Sequence, residues 1–168
     1  MSQHELFAAH ELINRWWVNY DEGHLPVLEQ LLTEDCHTRS RTELGTHPFE
    51  FFIACDCHGR EEAMSWTKEH RRQSPYPLRH HAANVHVIAE RGDELDLDSY
   101  LFVTQIIDRR PSTLSSGIVH WTLLRTDAGY RVRRQEVVLD SIESAPFQDV
   151  EHVSDRLKAW QRKWMLRH

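Results

Sequence analysis

From Glu5 to Tyr20 apolar side chains recur every three or four residues: Leu6, Ala9, Leu12 or Ile13, Trp16 or Trp17, and Tyr20. That period predicts an amphipathic helix, and Asp21-Glu22-Gly23 supplies its stop. A second short helix is predicted over Leu25 to Leu32, with Pro26 in its first turn and Val27, Leu28, Leu31 and Leu32 as a buried stripe. Glu34 to Thr42 alternates like a strand leading inward. Gly45, Pro48 and the Phe49 to Ile53 run predict a loop followed by an apolar turn or flap through Cys57. Gly59 to Arg72 reads as a third helix with Ala63, Met64 and Trp66 toward the core, closed by Ser74-Pro75-Tyr76-Pro77.

After this point the period changes from helical to alternating. Leu78 to Glu90, Glu94 to Ile107, Leu114 to Thr126 and Tyr130 to Leu139 are rich in Val, Ile, Leu, Thr and aromatic residues. Arg91-Gly92-Asp93 and Asp127-Ala128-Gly129 are short Gly-containing hairpin connections. Asp108 to Thr113, which contains Pro111, is expected to be the loop between the middle pair. Helices followed by a meander of long strands predict an α+β fold with helices packed on one sheet face. Pro146 to His168 patterns as a further helix, with Val150, Val153, Leu157, Trp160 and Trp164 on one stripe. No repeat or linker divides the chain, so 1–168 is expected to be one domain with 146–168 as a C-terminal helical extension.

Composition narrows the function classes. A net charge of −6 does not suit a general nucleic-acid binder, which needs a basic face for phosphates. No 18-residue apolar run is present, so no membrane span is expected. The first residues lack a basic leader and an apolar segment, and three cysteines make no disulfide framework. Cytoplasmic residence is the expectation.

Several short motifs, taken in order, resemble the NTF2-like superfamily and its SnoaL-like branch. Arg15 to Asp21 is similar to the family's first-helix pattern of Arg, an aromatic, and an Asp five residues after the aromatic. Gly59-Arg60-Glu61-Glu62-Ala63 resembles the start of its third helix. His80-His81-Ala82-Ala83-Asn84-Val85 resembles its His-x-x-x-Asn strand motif. Gly92-Asp93, Ser99-Tyr100, and Gly129-Tyr130-Arg131-Val132 followed by Asp140 match its later hairpin and strands. The resemblance implies a cone: a strongly curved sheet wrapped around helices, leaving a deep pocket. It implies a homodimer or homotrimer, and a small hydrophobic ring-containing molecule as ligand, with no cofactor. The family's dehydratases, isomerases and cyclases contrast with its non-catalytic β subunits of ring-hydroxylating dioxygenases. Under that alternative the partner is a larger dioxygenase subunit.

Asp21 and His80 match the positions of the family's acid/base pair, in which His moves a proton and a carboxylate fixes its tautomer. His81 competes with His80, because only one of two adjacent strand residues points inward. Trp16 stands where the family often has Tyr, and an indole N–H cannot act as an acid. Tyr20, one turn on, is the candidate substitute. Gln135 stands where such strands often carry Arg, removing a cation suited to an anionic substrate group. Trp17, Phe52, Tyr100, His120 and Trp121 complete the expected pocket wall. Cys55-Asp56-Cys57-His58 invites a metal. Adjacent residues do not readily converge on one ion, however, and zinc sites usually use Cys-x-x-Cys loops or separated ligand pairs. No metal is expected on this reading.

Overall fold

The computed structural model describes residues 2–45 and 49–141. The expected helix over Pro146 to His168 lies outside the described residues. Helix α1 (Gln3–Asp21) begins at a reciprocal cap: the Ser2 hydroxyl accepts the Glu5 N–H, and the Glu5 carboxylate accepts the Ser2 N–H at 2.6 Å. Its buried stripe runs Ala9, Leu12, Ile13, Trp16, Trp17 and Tyr20, and ends on Asp21. Gly23, at φ +72°, makes the left-handed turn that stops the helix. Helix α2 (Leu25–Leu31) buries Leu28 and Leu31. Strand β1 (Leu32–Thr42) alternates, with Cys36, Thr38, Ser40 and Thr42 inward.

Helix α3 (Glu50–Ile53) and strand β2 (Cys55–His58) replace the expected loop and flap. The helix is the apolar turn, but β2 is a correction, since it pairs antiparallel with β1. Alternation over only four residues is too short to register as a period. Helix α4 (Arg60–Gln73) follows, then four long strands: β3 (Leu78–Arg91), β4 (Glu94–Ile107), β5 (Arg110–Thr126) and β6 (Gly129–Leu139).

The six strands form one sheet in the order β2-β1-β6-β5-β4-β3, in which β1 and β6 are parallel and all other neighbours antiparallel. Leu95, Leu97, Leu101, Val103, Val119, Trp121, Leu123 and Val132 face inward against α1. This burial onto one sheet face is the main stabilising term. The sheet curves where its ladders slip: β3 shifts register between Ala83 and His86, with Asn84 at φ +52°. The α+β class and the curved sheet wrapped around helices follow the sequence expectation.

The connection at Asp108 to Thr113 does not. Strands β4 and β5 run nearly to the tip, and only Asp108 and Arg109 turn, both at positive φ (49° and 65°). Pro111 is accommodated because pairing of β5 with β6 ends at Gly117 opposite Leu139. Beyond that point, among the described strands, β5 pairs only with β4, and an edge left without a ladder partner tolerates proline. Among the described residues no helix is long and apolar enough to cross a membrane.

Candidate active site

The last turn of α1 delivers three side chains to one place. Trp17, Tyr20 and Asp21 extend the buried stripe, so the helix period that packs the core also carries an acid inward. The facing element is the start of β3, where Leu78, His80 and Ala82 share the inner side. Asp21 Oδ1 lies 2.6 Å from His80 Nδ1, and Asp21 Oδ2 accepts the His80 backbone N–H at 2.8 Å. The side chains of this pair are only 5% and 9% exposed. A carboxylate offers acceptors alone, so Nδ1 carries a hydrogen, and in the neutral ring Nε2 is the nitrogen with the lone pair. Trp17 stacks flat on the imidazole at 4.6 Å and Tyr20 meets it edge-on at 5.0 Å. The Arg71 guanidinium ties α4 to this corner by donating to the Asp21 carbonyl at 2.8 and 3.1 Å.

His80 opens onto a cavity of about 90 Å³ between α1, α4 and the concave sheet face. Of the residues named from the sequence, Trp16, Trp17, Tyr20, Phe52 and Gln135 line it, together with Trp66, His70, Leu101, Val103 and Val137. The wall is mostly apolar, which lowers the local dielectric and strengthens polar contacts made inside.

Four buried polar atoms among its lining residues have no hydrogen-bond partner among the described residues: Trp17 Nε1, Thr38 Oγ1, His70 Nε2 and Gln135 Nε2. Such orphans are rare in folded proteins, because each forgoes the hydrogen bonds that water would supply. All four belong to residues that line the one cavity.

His70 was not foreseen. The Tyr20 hydroxyl is hydrogen-bonded to His70 Nδ1. Burial pushes the Tyr20 phenol up, so it stays protonated and donates. Burial, aided by the nearby Arg71 guanidinium, pushes His70 down to about 4. His70 is therefore neutral near pH 7, with its hydrogen on Nε2. Trp66 stacks on it at 4.5 Å and Phe52 flanks it at 4.7 Å. The available signal was helical spacing, since His70 falls three and four residues after Thr67 and Trp66 on the inner side of α4. Its neighbours Glu69, Arg71 and Arg72 disguise it as part of a solvated basic end.

Four expected pocket residues lie elsewhere. His81 points to the outer face and meets Thr104 at 3.2 Å. Tyr100 is also outward, 55% exposed. His120 sits on the same outer face, bonded to Asp98 at 2.7 Å. Alternation explains all three, because their inward neighbours are His80, Ser99 with Leu101, and Val119 with Trp121. Trp121 is inward, but lies beneath the Trp16 and Trp17 rings and gives its N–H to Ser99 at 3.1 Å, so it is core rather than cavity wall. Cys36, Cys55 and Cys57 are inert candidates, because burial pushes their thiols up, Cys36 to about 11 and Cys55 to about 12.

Comparison with solved structures finds the same architecture in proteins of low identity. An NTF2-like protein with a cystatin-like fold from Novosphingobium aromaticivorans aligns over 92% of this chain and 88% of its own, at 21% identity and a TM-score of 0.66. The β subunit of a candidate aromatic-ring-hydroxylating dioxygenase from the same organism aligns over 82% and 90%, at 13% identity and 0.66. A candidate scytalone dehydratase, also from that organism, aligns over 84% and 95%, at 18% identity and 0.65. At these identities the likeness is one of fold. No curated protein sequence matches the chain. The SnoaL-like domain model matches residues 7–136, which is most of the chain. With the curved sheet, the enclosed helices and the cavity between them, this match establishes that the chain belongs to the SnoaL-like family.

Proposed function

We propose that the cavity carries out proton transfer on a small, largely apolar cyclic molecule bearing a carbonyl oxygen, as a cofactor-free lyase (dehydratase) or isomerase. The observation that carries this reading is the buried Asp21–His80 pair opening onto a cavity whose lining residues include three with an unpartnered ring or amide nitrogen, Trp17, His70 and Gln135. Asp21 holds His80 in the tautomer that leaves Nε2 free to take a proton, and it stabilises the imidazolium that results. Trp17 Nε1, Gln135 Nε2 and His70 Nε2 offer three N–H groups. A carbonyl seated on them becomes an enolate when the adjacent C–H loses its proton, and preorganised donors favour that oxygen as its charge grows. In an elimination, His80 then returns the proton to a departing hydroxyl, which leaves as water. In an isomerisation it returns the proton to a different carbon. Tyr20 orients His70, taking up a role that Trp16 cannot fill.

The test is a panel of small cyclic ketones and hydroxyketones, screened first by thermal stabilisation and then for turnover. For a compound that turns over, His80→Ala and Asp21→Asn should each lower kcat by about 10²–10⁴-fold. Turnover unchanged in both variants would refute the assignment. A second reading rests on the likeness to a dioxygenase β subunit: the chain would serve as a subunit. Co-purification with a larger iron-containing chain as a trimer, with no cyclic compound binding the cavity, would favour that reading instead.

A further inference from the structure

Outside the cavity, one side-chain cluster has the donors and the spacing of a metal site. His37 on β1 and His58 on β2 sit directly opposite each other in the antiparallel ladder, and their rings stack at 4.4 Å and 11°. Asp56, two residues before His58, shares their side of the sheet. Its Oδ1 lies 2.6 Å from His37 Nε2 and 3.4 Å from His58 Nε2. All three potential ligand atoms lie within 4.8 Å of one another, and among the described residues this is the one group of three that does so. We propose that His37, Asp56 and His58 bind a divalent first-row transition cation such as zinc, with water completing its coordination.

Three features support the assignment. The first is donor chemistry: two imidazole nitrogens and one carboxylate oxygen suit zinc, nickel or copper, whereas calcium and magnesium seek all-oxygen sites. The second is preorganisation. The ladder fixes the backbone spacing of His37 and His58, and small side-chain rotations bring the three donors to the 2.0–2.2 Å ligand distances typical of zinc, about a central ion. The third is charge. Arg39 stands opposite Asp56 in the β1–β2 ladder, and Arg134 stands opposite His37 in the β1–β6 ladder. Both guanidiniums turn to Glu136, at 3.5 and 2.8 Å, which offsets their repulsion of a cation. Alternation also explains why the Cys55 to His58 run is misleading as a linear motif. Cys55 and Cys57 face the interior, Asp56 and His58 face solvent, and the third ligand comes from another strand.

The proposal is tested by calorimetric titration of Zn²⁺ alone into the full chain. One site per chain is expected. His37→Ala and His58→Ala should each weaken binding by about tenfold or more, as should the shape-conserving Asp56→Asn. His120→Ala, which breaks the His120–Asp98 pair on the same outer face, should leave the affinity unchanged. The altered residues are half-buried or exposed, and melting curves of each variant check that the fold is intact. Magnesium in tenfold excess should not compete. Absence of a zinc isotherm, affinity that survives either histidine variant, or displacement by magnesium would each overturn the proposal.

Discussion

Asp21→Asn separates two roles of one carboxylate, structural and chemical, without needing a substrate. Asp21 satisfies two donors of His80: the ring Nδ1–H at 2.6 Å and the backbone N–H at 2.8 Å. Asp21→Ala leaves both unpaired in a region where the two side chains are no more than 9% exposed. At about 1–3 kcal/mol for each orphaned group, the loss is roughly 2–4 kcal/mol if the cavity side admits some water. For a chain of this size that is a fall in Tm of about 5–15 °C. Asp21→Asn behaves differently. Its single carbonyl oxygen can keep the backbone N–H, which places the amide NH2 against His80 Nδ1. The ring must then accept at Nδ1 and carry its hydrogen on Nε2, so the variant should lose only about 1–2 kcal/mol while the tautomer inverts. Nitrogen-15 NMR of the histidine rings reads the change: in the parent Nδ1 is the protonated nitrogen of His80, in Asp21→Asn Nε2 is. An unchanged tautomer with unchanged stability would refute the account of Asp21 as the group that sets the state of His80.

Two further outcomes follow from other parts of the molecule. Burial lowers His70 from 6.5 to about 4, so the unfolded chain binds the extra proton first. The stability that His70 contributes is therefore complete above pH 6.5 and lost as pH falls toward 4, by up to about 3 kcal/mol. Denaturant unfolding of the parent should weaken more steeply over that range than unfolding of His70→Gln, and parallel curves would contradict the burial argument. At Gly117, an added Cβ would lie 2.3 Å from the Val138 carbonyl oxygen and 2.9 Å from Leu139 Cα, both backbone atoms. Gly117→Ala must displace the end of β6, at a cost of about 1–3 kcal/mol. Its Tm should drop by about 2–12 °C, and an unaltered melting curve would show that the strands do not approach so closely.

Much of the scaffold was legible because its periods are long. Nineteen residues of α1 and fourteen of β4 repeat their patterns often enough to be read, and both Gly-containing hairpins announce themselves. Strand β2 repeats too few times, and Asp108-Arg109 turns at positive φ without the Asn-Gly or Asp-Gly chemistry that signals such turns. The pairing of Asp21 with His80 came from motif resemblance rather than periodicity, which cannot choose between His80 and His81. The structure places His80 beside Asp21 and His81 outside. Tyr100, His120 and Trp121 were misplaced for a related reason: aromatic character says that a residue is worth burying, not which face or depth it takes. His70 went unseen because its polar neighbours hide a helical stripe that only the packing of α4 reveals.

The parallel join between β1 and β6 has a consequence for how the molecule assembles. Strands β3 to β6 are hairpin neighbours and can zip together from local contacts. Strand β1 must find a partner far along the chain, as the Arg41–Glu136 contact across 95 positions shows. Long-range parallel pairing is slow to close. The helices that enclose the cavity precede, in chain order, the strands that cover them, so Trp16 and Trp17 of α1 gain their cover only once those strands have docked. Until then the apolar wall that later lines the cavity is open to mispairing with other chains. A small molecule that fills the cavity would act on this step as well as on any chemistry, by favouring the docked arrangement over the open one.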